Sequence, residues 1–238
     1  MSDIPALADF SQEHNPHVRI LDYGYTLSHL HQVLPLAREN HFGVMAFHSH
    51  SQAAIEATCE AAWQQRSPVV LEGVENSEFS LEQFADLVYE EIGRMIKKYG
   101  YGVPVVLQLN IQEDMSLIDR AVKAGFSSIG CNFSAKSLEE NMQFSSEVVK
   151  QMHPLGISVE VAIGLDPDIT GVEDAYKLVE AARPDALMVF AGKAPHLHYD
   201  RIREIDDAVR EFNVQVALRS NKALEHPAVL FHAVTDSL

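Results

Sequence analysis

Short apolar runs rich in β-branched residues recur along this chain, and the segments between them carry apolar positions at helical spacing. The runs are GVMAF at 43–47, PVVLEG at 68–73, PVVLQLN at 104–110, SSIGCN at 127–132, SVEVAIG at 158–164, ALMVFAG at 186–192, VQVAL at 214–218 and AVLFHAV at 228–234, eight strand candidates in all. Most are close to continuously apolar, so a sheet built from them must be covered on both faces. The clearest helical segment is 80–100, where Leu81, Phe84, Leu87, Val88, Ile92 and Met95 make one stripe. Parallel strands need crossovers, and eight strand–helix units favour a closed (β/α)8 TIM barrel over a doubly wound open sheet. Few residues separate the last two runs, so the barrel is expected to be trimmed at its final crossovers. A length of 238 residues suits one such α/β domain. Residues 1–24 show no clear period and are expected to form an arm laid on the body or on a partner subunit, with the barrel over 25–238.

Composition narrows the function classes. With 47% hydrophobic and 22% charged residues, the chain can bury a core and is neither disordered nor a coiled coil. Acidic residues outnumber basic ones by 34 to 18, and the net charge of -16 repels nucleic acid phosphates and anionic membranes. Two cysteines, Cys59 and Cys131, are too few for a disulfide framework. No charged leader precedes an apolar stretch long enough for a signal peptide or membrane span, so a cytoplasmic location is expected. The arm and the trimmed last crossover predict a homo-oligomer, most simply a dimer.

In such a barrel the chemistry sits at the C-terminal ends of the strands. Those ends carry His48 and His50, Glu72, Gln108 and Asn110, Cys131 and Asn132, Glu160, Lys193, Arg219 and His232. Alternation places Gln108 with Asn110 on one face of their strand, and Glu160 with Ala162 on one face of theirs. Lys193 follows ALMVFAG directly, among Ala191, Gly192, Ala194 and Pro195. Desolvating an amine disfavours its charged form and frees the lone pair for carbonyl attack, so a Schiff base is one reading; an anion-binding cation and a solvated loop lysine are the others. Glu160 lies in an apolar run, where a carboxylate requires a partner; it is either a proton-transfer group or one half of a structural pair. His48 and His232 fall on the first and last strands, which are neighbours in a closed barrel. With Glu72 they suit proton transfer or ligand contact, or a metal site of the two-His, one-carboxylate type. Arg219, with Lys193 and Lys222, gathers positive charge where phosphate sites of such barrels lie. Cys131 reads mainly as a small core residue.

Several stretches, in order from Tyr25 to the C-terminus, resemble the class II (zinc-dependent) ketose-bisphosphate aldolase family. They include the 25–73 segment with Arg66-Ser67-Pro68 before the second strand, the 103–164 segment with its AGF-S and LEEN elements, GVEDAYKLVEAARPDALMVFAGK, and the terminal HAVTDSL with Thr235 and Asp236. The resemblance implies a TIM barrel and aldol chemistry. Where that family has His-X-Asp-His after the third strand, this chain has Gln108-Leu109-Asn110-Ile111. The family's fifth-strand carboxylate falls on Ala162, its His-Gly loop on Lys193-Ala194-Pro195, and its last ligand histidine on Arg219, followed by Ser220-Asn221-Lys222. Neither Ile111 nor Arg219 ligates zinc, which needs about three nitrogen, sulfur or oxygen donors from the protein. The resemblance also puts His48 and His232 where the family's asparagines touch substrate, and Glu173 where a mobile acid moves protons.

The expectation is an aldolase-like carbon–carbon lyase for a small phosphorylated or carboxylated carbonyl compound, with no metal and no cofactor. Lys193, Glu160 and His48 are its candidate catalytic residues; Asn110, Gln108, Arg219, His232 and Glu72 are its candidate binding residues. The alternative is a degenerate, non-catalytic relative that binds a ligand or partner.

Overall fold

The computed structural model describes residues 15, 17–73, 79–112, 114–164, 170–190, 192–193 and 196–219. Strands and helices alternate as expected: α1 (Leu30–Glu39), β1 (Met45–His48), α2 (Gln52–Gln65), β2 (Val69–Gly73), α3 (Leu81–Tyr99), β3 (Val105–Ile111), α4 (Ser116–Ala124), β4 (Ser128–Cys131) and α5 (Leu138–Met152). After them come β5 (Ser158–Ile163), α6 (Val172–Ala182), β6 (Ala186–Phe190), the short β7 (Gly192–Lys193) and β8 (His196–Leu197), α7 (Tyr199–Val209) and β9 (Gln215–Arg219). Seven strands form one parallel sheet in the order β1-β2-β3-β4-β5-β6-β9. Each strand is added beside the one before it, with no reversal of direction. That is the arc of a singly wound barrel, since a doubly wound sheet reverses its strand order at a switch point. The eighth expected strand, 228–234, lies outside the described residues, so the structure gives a seven-stranded arc. Among the described residues, no helix is long and apolar enough to cross a membrane.

Strand alternation divides the core into two layers. Val69, Leu71, Val105, Leu107, Leu109, Ile111, Ile129, Cys131, Val159, Val161, Leu187 and Val189 belong to the large cluster shared with the helices. Val70, Val106 and Ala186 belong to a second cluster with Leu30 and Val33 of α1. The first set therefore faces outward to the helical shell, and the second faces inward. Met45 and Phe47 share the outward parity on β1, yet they are 50% and 42% exposed.

Helix α1 plugs the N-terminal end of the arc. Its first backbone N–H, from Leu30, donates to Ser158 Oγ at 3.0 Å, and His29 Nδ1 lies 3.0 Å from Ser127 O. His29 and Gln32 form a capping box that satisfies its first turn. Its C-terminal end is tied to α7 through Arg38, which donates to Asp206 at 2.5 Å and to Gln215 at 3.1 Å. The stripe predicted for 80–100 is realised in α3, where Leu81, Phe84, Val88, Ile92 and Met95 are buried while Leu87 is half-buried. Ser80 and Gln83 cap its start, and Gly100, in the left-handed region, ends it.

The described part of the N-terminal arm lies on its own body. Asn15 Nδ2 donates to Val122 O at 2.8 Å and Phe126 O at 3.0 Å. Gly125 accommodates this strap. Its φ is +89°, and a Cβ there would stand 2.7 Å from His17 O. Arg19 adds a further contact to the body, its backbone N–H donating to Tyr89 Oη at 3.3 Å.

Candidate active site inside the strand arc

The inward-facing positions near the C-terminal strand ends are polar, in contrast to the aliphatic layer beneath them. Register places His48 beside Glu72, Glu72 beside Gln108, and Gln108 beside Ser128. One step further along the strands, Asn110 is beside Gly130, and Gly130 is beside Glu160. In a parallel sheet, paired residues point to the same face, so these positions form a continuous inner seam across five strands.

Hydrogen bonds join this seam into two groups. In the first, Ser128 Oγ donates to Gln108 Oε1 at 2.9 Å, while Gln108 Nε2 donates to Asn110 Oδ1 at 3.0 Å and to Glu160 Oε1 at 3.3 Å. Gln108 is 1% and Glu160 8% exposed, and Asn110 is half-buried. A buried carboxylate is tolerable when it accepts hydrogen bonds, and the Gln108 amide supplies one. Gly130 makes room for this group: a Cβ at its position would stand 2.0 Å from Asn110 Oδ1 and 2.9 Å from Gln108 Nε2. In the second group, His48 Nδ1 lies 3.3 Å from Glu72 Oε2, and the His50 ring meets the His48 ring edge-on at 4.6 Å. The His48 side chain is 44% exposed, whereas that of Glu72 is 18% exposed.

Lys193 lies three residues beyond the end of β6, in β7, and its backbone pairs with His196 in the two-stranded antiparallel ladder of β7 and β8. Arg219 ends β9, in register with Phe190 at the end of β6. Both backbones are thus at the C-terminal ends of adjacent strands. His232, Lys222, Ser220, Asn221, Ala191, Ala194 and Pro195 lie outside the described residues.

Other candidates are placed away from the seam. Glu173 opens α6 on the outside, 80% exposed and paired with Lys177 at 2.6 Å, which holds its carboxyl below the usual range. Cys131 points into the outer apolar layer, where burial pushes its thiol up and away from nucleophilic use. A shallow groove along α5, lined by Met142, Ser146, Lys150 and Ala181, lies on the helical shell and gathers no chemistry.

Among the described residues, the inner face of the arc offers no set of donors that fits the zinc of the resembled family. Ile111, which the resemblance sets where that family has a ligand histidine, is aliphatic, and its side chain is buried in the outward layer. Among the described residues, no three histidine, cysteine or carboxylate side chains are grouped to hold a metal ion, and His48, His50 and Glu72 do not make such a group. Two residues of the seam escaped the sequence reading. Ser128 and Gly130 lie within the SSIGCN run, and their roles follow only from register with β3 and β5. The available signal was parity: both fall on the same face as Asn132, at the end of that run.

Comparisons with known proteins agree with the fold. The family described as Fructose-bisphosphate aldolase class-II matches residues 28–225. The chain is 27% identical over 200 residues to a fructose-bisphosphate aldolase of Giardia intestinalis, covering 75% of this chain and 61% of that protein. It is 30% identical over 159 residues to a fructose-bisphosphate aldolase of Helicobacter pylori, covering 66% of this chain and 48% of that protein. The match thus spans 48% to 61% of the length of these curated relatives. Among solved structures, the YdjI aldolase from Escherichia coli K12 superposes with a TM-score of 0.74 at 23% identity, over 88% of this chain and 78% of that one. A fructose-bisphosphate aldolase from Campylobacter jejuni superposes with a TM-score of 0.70 at 18% identity, over 89% and 75%. With the family match running from the segment just before α1 to beyond β9, this chain belongs to the class II fructose-bisphosphate aldolase family.

Proposed function

We propose that this protein is an aldol-type carbon–carbon lyase acting on a small phosphorylated or carboxylated carbonyl compound through an imine on Lys193, without the family's zinc. The observation that carries this reading is the buried Glu160, hydrogen-bonded through Gln108 to Asn110 on the inner face of the arc. The protein works in the cytoplasm as a homo-oligomer.

In this mechanism Lys193 Nζ attacks the substrate carbonyl carbon; a C–N bond forms and water leaves, giving an iminium. Glu160 takes the proton of the hydroxyl on the far carbon of the bond to be broken, the carbon that becomes the aldehyde. The C–C bond cleaves, its electron pair flows into the iminium to give an enamine, and the aldehyde product departs. His48 then protonates the enamine carbon, and water hydrolyses the resulting iminium to free Lys193. Glu72, 3.3 Å from His48 Nδ1, orients that imidazole. Arg219 holds the anionic group, and Asn110 offers its amide to the carbonyl oxygen.

A panel of ketose phosphates and phosphorylated keto acids, assayed with a chelator present, tests the reading. Turnover of one member is expected to persist with the chelator, to vanish in Lys193→Arg and to fall about 100-fold or more in Glu160→Gln. A second reading, a binding protein that does no chemistry, is favoured by the aliphatic Ile111 where the resemblance sets a ligand histidine. Binding of panel members with no turnover of any would establish it.

A further inference from the structure

Gln108 is among the least exposed polar residues of the seam, and its amide is fully engaged within the protein. Gln108 presents its nitrogen to Glu160, donating to Oε1 at 3.3 Å. Its oxygen then faces Ser128, whose hydroxyl donates to it. The second hydrogen of the same nitrogen goes to Asn110 Oδ1. Because the two ends of an amide diverge, this turns Asn110 Nδ2 away from Gln108. The whole arrangement admits one orientation of each amide, since reversing Gln108 would set its oxygen against the Glu160 carboxylate and leave its nitrogen toward Ser128. Gly130 supplies the space in which it is possible.

From this we infer that Gln108 is a positioning residue rather than a ligand contact: held by Ser128, it fixes the Glu160 carboxylate and aims the Asn110 amide nitrogen at an acceptor oxygen of the ligand. The inference rests on the reading of Glu160 as the proton-transfer group, but its test needs no turnover. The full-length protein is labelled with 15N in glutamine and asparagine side chains. The Gln108 and Asn110 amide signals are then assigned by their loss in Gln108→Met and Asn110→Ala, and their exchange with water is followed.

Three outcomes are expected in ligand-free protein. Gln108 Nε2 exchanges slowly in the parent and in Ser128→Thr, which keeps the hydroxyl. It exchanges about tenfold faster or more in Ser128→Ala, where one of three hydrogen bonds is lost. The Asn110 amide signals move in Gln108→Met, a change of similar volume whose fold is checked by circular dichroism. Asn110 signals that stay unmoved in folded Gln108→Met overturn the proposal, as does unchanged Gln108 exchange in folded Ser128→Ala. If these outcomes appear and no carbonyl compound is turned over, the lyase reading fails and the positioning role stands.

Discussion

Gly130→Ala perturbs the candidate site at a single atom. The glycine is not in the left-handed region, so its backbone accepts alanine, and the consequence is steric. The new Cβ would lie 2.0 Å from Asn110 Oδ1 and 3.1 Å from Asn110 Cγ, against an optimum of about 3.5 Å or more for such contacts. Asn110 must rotate, and its hydrogen bond from Gln108 breaks, costing about 1 kcal/mol. Crowding in the packed interior adds about 1–3 kcal/mol. Loss of glycine's freedom in the unfolded chain returns about 0.5–1 kcal/mol. The net loss is about 2 kcal/mol, which for a chain of this size lowers Tm by about 4–8 °C. Urea unfolding followed by circular dichroism measures it. The specific check is a double-mutant cycle with Asn110→Ala, which removes the obstructing atoms. In that background Gly130→Ala should be close to neutral, giving a coupling of about 2 kcal/mol. Equal destabilisation in both backgrounds would refute the packing argument.

Asp206 is 4% exposed and accepts from Arg38 at 2.5 Å and Arg210 at 2.9 Å, so Asp206→Asn should cost about 2–3 kcal/mol in urea unfolding, with part of the full burial penalty relieved because both arginines reach solvent. Glu60 bridges α2 to α3 through Lys98 and Tyr99, which hold its carboxyl down at about 2 against an ordinary 4.5. A depressed pKa contributes stability that is complete above about 4.5 and lost as pH falls toward about 2; acid unfolding monitored between those limits should lose part of its slope in Glu60→Gln. Elemental analysis of protein purified without chelators should give well under one zinc per chain, because Ile111 and Arg219 offer no ligand.

The fold was legible because its signals are local. Val105–Val106–Leu107 or Ala186–Leu187–Met188–Val189 can only be buried on two faces, and the Leu81–Met95 stripe matches the helical period, so the strand–helix alternation follows from pattern alone. Boundaries shifted by a residue or two, as at β1, where the run 43–47 became Met45–His48. The site was legible only in part. Parity along one strand put Gln108 and Asn110 together, and this holds. Glu160 joins them through an amide 52 residues away in sequence, and Ser128 and Gly130 matter through register across three strands, none of which a linear pattern encodes. Asn15 was likewise silent: its two hydrogen bonds reach carbonyls more than 100 residues along the chain. The family resemblance helped with topology and less with chemistry, since the positions it pairs with that family's histidines include Ile111 and Arg219.

The imine on Lys193 is the claim most directly open to measurement. The purified protein is incubated with each member of the carbonyl panel, treated with borohydride in the presence of a chelator, and digested for mass spectrometry. One member is expected to leave a reduced adduct on the Lys193 peptide, in stoichiometric yield and absent from Lys193→Arg. Turnover of a panel member with no adduct on that peptide, and with activity retained in Lys193→Arg, would contradict it.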